Sequence, residues 1–173
     1  TPNAGKTALF NRLTGLNQRV ANYPGITVDL SIGRLAKLPE VDLVDFPGTY
    51  SLRPISEEER VAVGYFDRSL ADPDVLHVLC IVDATRLEKS LFFCLQAVDA
   101  CQRQGRPVTV VANMGDILKR HGLSIDADRL SQAIGAPVLV ASARTGEGLD
   151  AIISRLQSPP EACLLYTSPS PRD

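Results

Sequence analysis

The sequence predicts an α/β domain in which a mostly parallel sheet is flanked by helices. Three observations carry that prediction. Beyond residue 70, short apolar runs alternate with stretches of helical spacing in the order strand, helix, strand, helix, strand, helix. Such alternation specifies parallel strands joined by crossover helices. Two of the runs, Val75 to Val82 and Val108 to Ala112, read as strands buried on both faces. The chain has 173 residues, of which 45% are hydrophobic and 22% charged. That is the size and composition of one globular domain with a sizeable core.

The elements follow in order. Ala8 to Leu16 reads as a helix with Leu9, Phe10 and Leu13 on one face. Residues 17–29 are polar and contain Pro24-Gly25, so they read as a loop. Leu30 to Leu38 and Val41 to Asp45, broken by Pro39-Glu40, read as a hairpin, and Pro47-Gly48 stops its second strand. Ser56 and Glu59 form a capping-box pattern that opens a helix running to about Ser69. Leu87 to Arg103 has helical spacing, with Leu91, Leu95 and Val98 on one face and Gly105 ending it. Ala127 to Ile134 is a helix ended by Gly135, Val138 to Ala141 a strand, and Leu149 to Leu156 a last helix. Residues 158–173 have linker composition and read as a disordered tail.

Charge and cysteine usage exclude several classes. Eighteen basic against twenty acidic residues give a net charge of -2, so no broad basic face is available for nucleic acid or acidic lipid. No apolar run approaches the roughly 18 residues of a membrane-spanning helix. Cys80, Cys94, Cys101 and Cys163 form no CxxC pair and no metal-like spacing with His77 or His121. They read as free thiols of a reducing compartment, with Cys80 and Cys94 in buried runs.

Four short motifs carry chemistry. Gly5-Lys6-Thr7 opens a helix and matches the end of the phosphate-loop pattern GxxxxGK[ST]; the first glycine of that pattern would fall one position before Thr1. A glycine lets the backbone approach phosphate, a lysine neutralises the β- and γ-phosphates, and the hydroxyl holds magnesium. Asp45-Phe46-Pro47-Gly48 follows an apolar strand. An aspartate there can hold a magnesium-bound water, and Gly48 lets its N–H reach a γ-phosphate. Asn113-Met114-Gly115-Asp116 follows the next strand. A carboxylate accepts from N1–H and the 2-amino group of guanine, donors that adenine lacks. Ser142-Ala143-Arg144 follows the last strand, where backbone N–H groups could meet the guanine O6. Gly5-Lys6-Thr7 alone equally suits a surface helix start, and each of the other three alone is better read as a common turn or loop. Their order, each at the end of a strand where open parallel sheets bind ligands, is that of a GTP-binding domain.

With these residues in view, the chain resembles the cytosolic G domain of the bacterial ferrous iron transport protein B (FeoB) family over roughly residues 1–157. Pro2 to Gly15 (PNAGKTALFNRLTG) is similar to that family's phosphate loop and first helix, and Tyr23 to Asp29 (YPGITVD) to its first switch loop. Val44 to Leu52 (VDFPGTYSL) resembles its VDLPGTYSL segment, and Val82 to Gln96 its VDAxxLExxLxxxLQ helix. Ala112 to Ile117 (ANMGDI) resembles the NMxD form of the base motif, where most GTPases have NKxD. Gly115 stands where a larger residue is more usual.

The resemblance implies a Ras-like P-loop GTPase fold, N-terminally truncated, with the strand before the phosphate loop missing and a gap in the sheet. It implies GTP binding and slow GTP hydrolysis that regulates ferrous iron uptake through a membrane domain of the same full-length transporter, at the cytoplasmic face of the bacterial inner membrane. Asn3, Ala4, Gly5, Lys6 and Thr7 would cradle the phosphates. Thr7, the switch residue Thr27 and Asp45 would hold Mg2+, and Gly48 would meet the γ-phosphate. Asn113, Met114, Asp116, Ser142 and Ala143 would surround the base. Lys6, Thr27 and Gly48 would act in turnover. Thr49-Tyr50 stands where many GTPases place a water-orienting glutamine. K+ could supply the charge stabilisation there, with Asn3 as its ligand, although Asn3 equally suits a loop-shaping side chain. The partners implied are guanine nucleotide, as GTP or GDP, and the membrane domain, not nucleic acid; a homo-oligomer is left open. Two other readings stand beside this one: a ribosome-assembly or tRNA-modification type GTPase, and a nucleotide-binding remnant without turnover. Residues 163–173 (CLLYTSPSPRD) look like one reading frame of a sequencing-library adapter, so they are expected not to belong to the natural protein.

Overall fold

The computed structural model describes residues 4–22, 29–46 and 52–157. Among the described residues, six strands and six helices follow one another: α1 (Lys6–Thr14), β1 (Gln18–Asn22), β2 (Asp29–Leu35), β3 (Leu38–Asp45), α2 (Glu57–Ala71), β4 (Val78–Asp83), α3 (Leu87–Arg103), β5 (Val108–Asn113), α4 (Gly115–Arg120), α5 (Ala127–Ile134), β6 (Val138–Val140) and α6 (Leu149–Gln157). A short 3-10 turn, Ala84–Arg86, leads into α3. The expected adapter-like segment, with Cys163, lies outside the described residues, as do Asn3, Thr27 and Gly48.

The strands form two three-stranded sheets. β4, β5 and β6 are parallel in the order β4-β5-β6, as the alternation of strands and helices predicts. β1, β2 and β3 form an antiparallel meander. No ladder joins the two sheets among the described residues. Apolar side chains connect them instead. Leu9 and Leu13 of α1, Leu35 and Leu38 of the meander, Ile81 and Val111 of the parallel sheet, and Ile152 of α6 share one buried cluster. A second cluster packs α3 and α5 on the other face of the parallel sheet.

Several local expectations needed correction. Residues 17–29 are not all loop: Gln18–Asn22 pairs antiparallel with β2, from Gln18 opposite Gly33 to Asn22 opposite Asp29. The strand is held by main-chain pairing on an exposed edge, with Val20 at 69% exposure, so no apolar alternation marks it. The hairpin turns at Ala36-Lys37, with Leu35 opposite Leu38, and not at Pro39-Glu40. Pro39 sits inside β3 where the register jumps from Leu35–Leu38 to Arg34–Asp42, a place that does not need its missing N–H. β4 begins at Val78, because Arg106 holds the carbonyls of Leu70 (2.7 Å) and Val75 (3.1 Å) and shapes the preceding segment as a turn.

The helix Leu87–Arg103 has the expected bounds, and of its expected face Val98 is buried and Leu91 packs against the core, while Leu95 does not. Ser90, Cys94, Ala97, Val98 and Cys101 are buried, while Leu95 is 47% exposed. Small residues bring the helix close to β4, and the larger leucines flank the contact. The helix closes in a Schellman arrangement, with Gly105 N–H donating to Gln102 (3.0 Å) and Arg106 N–H to Cys101 (2.8 Å). The capping box at α2 forms in full: Ser56 Oγ accepts from the Glu59 N–H at 3.1 Å, and the Glu59 carboxylate accepts from Ser56 at 3.3 Å. Cys80, Cys94 and Cys101 are free and buried, and burial pushes the Cys101 thiol up to about 12. No described helix is long and apolar enough to cross a membrane.

Candidate functional site

The loops carrying the four motifs meet along one edge of the domain. Ala4-Gly5 leads into α1, Asp45 ends β3, Asn113 ends β5, and Ser142-Ala143-Arg144 follows β6. The strand contributions are all at C-terminal ends, which is where a parallel sheet leaves a crevice for ligands.

Asn113 ties three of these loops together. Its side chain is 2% exposed. Its Nδ2 donates to the Ala4 carbonyl at 2.9 Å and, longer, to the Gly5 carbonyl at 3.4 Å. Its Oδ1 accepts from the Ala143 N–H at 3.0 Å. Both ends of the amide are therefore engaged by backbone of the phosphate and base loops. This geometry makes Asn113 a pin that sets the loop spacing. Gly5 is the left-handed residue (φ 70°) before α1. A Cβ on it would lie 2.5 Å from Asn113 Nδ2. Glycine is required both by conformation and by this close approach.

Lys6 opens α1, and its ammonium donates to Asp45 Oδ1 and to the Phe46 carbonyl. The pair joins the phosphate loop to the end of β3 across 39 residues of sequence. Thr7 is exposed in the first helical turn, and Ala4 is fully buried. α1 has no side-chain cap, so its first N–H groups are available to an anion. The exposed Thr7 hydroxyl and the Asp45 carboxylate are hard oxygen donors of the kind Mg2+ takes, with Asp45 paired to Lys6 in this structure.

Asp116 lies in the first turn of α4 at 8% exposure. Its Oδ1 accepts from the Ser142 hydroxyl at 2.7 Å, and its Oδ2 from Arg144 Nε at 2.8 Å. These bonds, the Ser142 hydroxyl first and the Arg144 guanidinium next, hold its carboxyl below the usual carboxylate range. Met114 has a left-handed backbone (φ 67°) at the N-cap of α4, and its terminal methyl reaches over Gly5. Gly115 follows where a Cβ would meet Val140 Cγ1 at 2.7 Å, which explains the small residue at this position.

Two arginine side chains that no sequence motif marks also tie these loops together. Arg12, two turns into α1, donates from Nε to the Ala143 carbonyl (2.8 Å) and from Nη2 to the Arg144 carbonyl (2.9 Å). Nothing in helical spacing marks an arginine on a polar face as a clamp on a loop 131 residues away. Arg144 stands within the Ser142-Ala143-Arg144 motif, whose pattern points to backbone N–H groups and not to this side chain.

The fold and the order of these loops define a Ras-like G domain. The sequence profile described as "Ferrous iron transport protein B" matches residues 1–156, and the chain belongs to that family. It is 41% identical over 156 residues to the Fe(2+) transporter FeoB of Salmonella typhimurium, covering 87% of this chain and 19% of that one. The corresponding protein of Leptospira biflexa is 38% identical over 150 residues, covering 86% and 21%. The chain thus spans about a fifth of the length of these relatives. Among solved structures it is similar to a point mutant of S. thermophilus NFeoB bound to GDP, at TM-score 0.77 and 40% identity over 90% of this chain and 56% of that one. It is likewise similar to S. thermophilus NFeoB bound to GDP.AlF4- and K+, at TM-score 0.73 and 41% identity over 90% and 57%.

Proposed function

We propose that this chain is the guanine-nucleotide switch of a ferrous iron transporter, binding GTP and GDP and hydrolysing GTP slowly. The observation that supports this reading is the convergence of the Ala4-Gly5, Asn113 and Ala143 loops on the Asn113 side chain, with Lys6 opening the adjoining helix and the Asp116 carboxylate held by Ser142. Lys6 and the N-terminus of α1 neutralise the phosphates. Thr7 and Asp45 hold Mg2+, with Thr27 completing its shell and Gly48 meeting the γ-phosphate. Asp116 reads guanine, while Asn113, Met114, Ser142 and Ala143 shape the pocket around it. Asn3 holds K+, which takes over the charge stabilisation that a glutamine after Gly48 would otherwise assist.

In the full-length protein the switch regulates a membrane domain from the cytoplasmic side. Relatives of which this chain covers a fifth are named Fe(2+) transporters, and a related G domain has been solved with GDP.AlF4- and K+. Binding of GTP, GDP and ATP, followed by phosphate release in KCl and in NaCl, tests the reading. Guanine-selective binding and faster release in KCl are expected. Equal affinity for ATP would contradict the base assignment, and equal turnover in the two salts would remove the role of Asn3.

A further inference from the structure

Both oxygens of the carboxylate assigned to guanine are already engaged within the chain, and this inference rests on that assignment. Asp116 Oδ1 accepts from Ser142, and both Arg144 Nε and Nη2 converge on Oδ2, at 2.8 and 2.7 Å. A second guanidinium, Arg120, stands off at 3.9 Å. One edge of a guanidinium presents coplanar N–H donors to a carboxylate. The N1–H and 2-amino edge of guanine presents the same pattern. Arg144 and the base therefore compete for one acceptor with one kind of donor.

We propose that Arg144 is an intramolecular competitor of the guanine base, a latch on Asp116 that must swing aside before the base can pair. The geometry makes that exchange local. The Arg144 side chain is 66% exposed while that of Asp116 is 9% exposed, so the arginine can rotate into water while the carboxylate stays fixed. Arg12 holds the carbonyls of Ala143 and Arg144, which keeps the loop backbone in place as the side chain turns. Closure also leaves no uncompensated charge at a nearly buried carboxylate.

A closed latch lowers apparent affinity by the fraction of open molecules. It acts on the base, so GDP and GTP are affected alike. It acts before pairing, so it slows association and leaves dissociation unchanged. The test is stopped-flow binding of methylanthraniloyl-GDP and methylanthraniloyl-GTP to the full chain and to Arg144→Met, Arg144→Lys and Asp116→Asn. Arg144→Met should raise the association rate about two- to fivefold, the range of an exposed ion pair, for both nucleotides with unchanged dissociation. Arg144→Lys, which keeps the charge without the planar fork, should fall between. Slower association or faster dissociation in Arg144→Met would show that the arginine supports bound nucleotide and would overturn the latch. Unchanged rates in Arg144→Met, with guanine binding lost in Asp116→Asn, would sink the latch alone. Unchanged guanine binding in Asp116→Asn would sink the base assignment and the latch with it.

Discussion

Replacing Asn113 by alanine separates a loop-spacing role from a base-reading one. The substitution removes two short hydrogen bonds, to the Ala4 carbonyl at 2.9 Å and from the Ala143 N–H at 3.0 Å. Ala4 and Ala143 are 0% and 6% exposed, so the orphaned carbonyl and N–H are poorly placed to recover water. Each net bond contributes about 1 kcal/mol, and a buried polar group left unsatisfied costs about 1–3 kcal/mol. The loss should therefore be on the order of 2–4 kcal/mol in the chain without nucleotide. Urea unfolding followed by far-ultraviolet circular dichroism measures it as a lower midpoint at unchanged slope. A residue serving only the base would weaken nucleotide binding and leave this midpoint in place. An unfolding free energy within about 0.5 kcal/mol of the parent, the range of an ordinary surface change, would refute the pin.

Two further predictions concern stability. His77 bonds Thr109 at 2.9 Å, and burial, with Arg155 nearby, pushes its imidazole down to about 4. It is therefore neutral in the folded chain while the unfolded chain takes up a proton near 6.5, so its contribution is fully present above about pH 6.5 and is lost as pH falls towards 4. Discounted for partial exposure, the loss is on the order of 1–2 kcal/mol, and a His77→Gln variant should show a shallower decline of melting temperature across that window. Gly115→Ala places a methyl 2.7 Å from Val140 Cγ1 and should destabilise the chain by about 1 kcal/mol. Adding Val140→Ala should make the pair less costly than the sum of the two single changes, as measured in a double-mutant cycle.

Much of this site was legible because its motifs sit at strand ends, where residue type and position point to the same chemistry. Strands β4, β5 and β6 and helices α3, α5 and α6 were legible from apolar runs and their spacing. What escaped depends on partners distant in sequence. β1 is made by pairing to β2 and carries no apolar signature. The true buried face of α3 is set by close approach to β4, which favours Cys94 and Ala97 over Leu95. Six residues, Gly115–Arg120, form a helix too short to show a period. Asn113 stands out in its motif, but its engagement by Ala4 and Ala143 arises only when three loops meet. Arg12 and Arg144 carried no local signal because their partners lie 131 and 28 residues away.

The central claim is that Asp116 selects guanine. Competition of GTP, ATP and xanthosine triphosphate against methylanthraniloyl-GDP in the parent and in Asp116→Asn tests it most directly. The parent should prefer GTP. The variant should lose GTP affinity by about tenfold or more and gain xanthosine triphosphate, because the asparagine amide supplies a donor where the carboxylate supplied an acceptor. An Asp116→Asn chain that still prefers GTP as strongly as the parent would contradict the account.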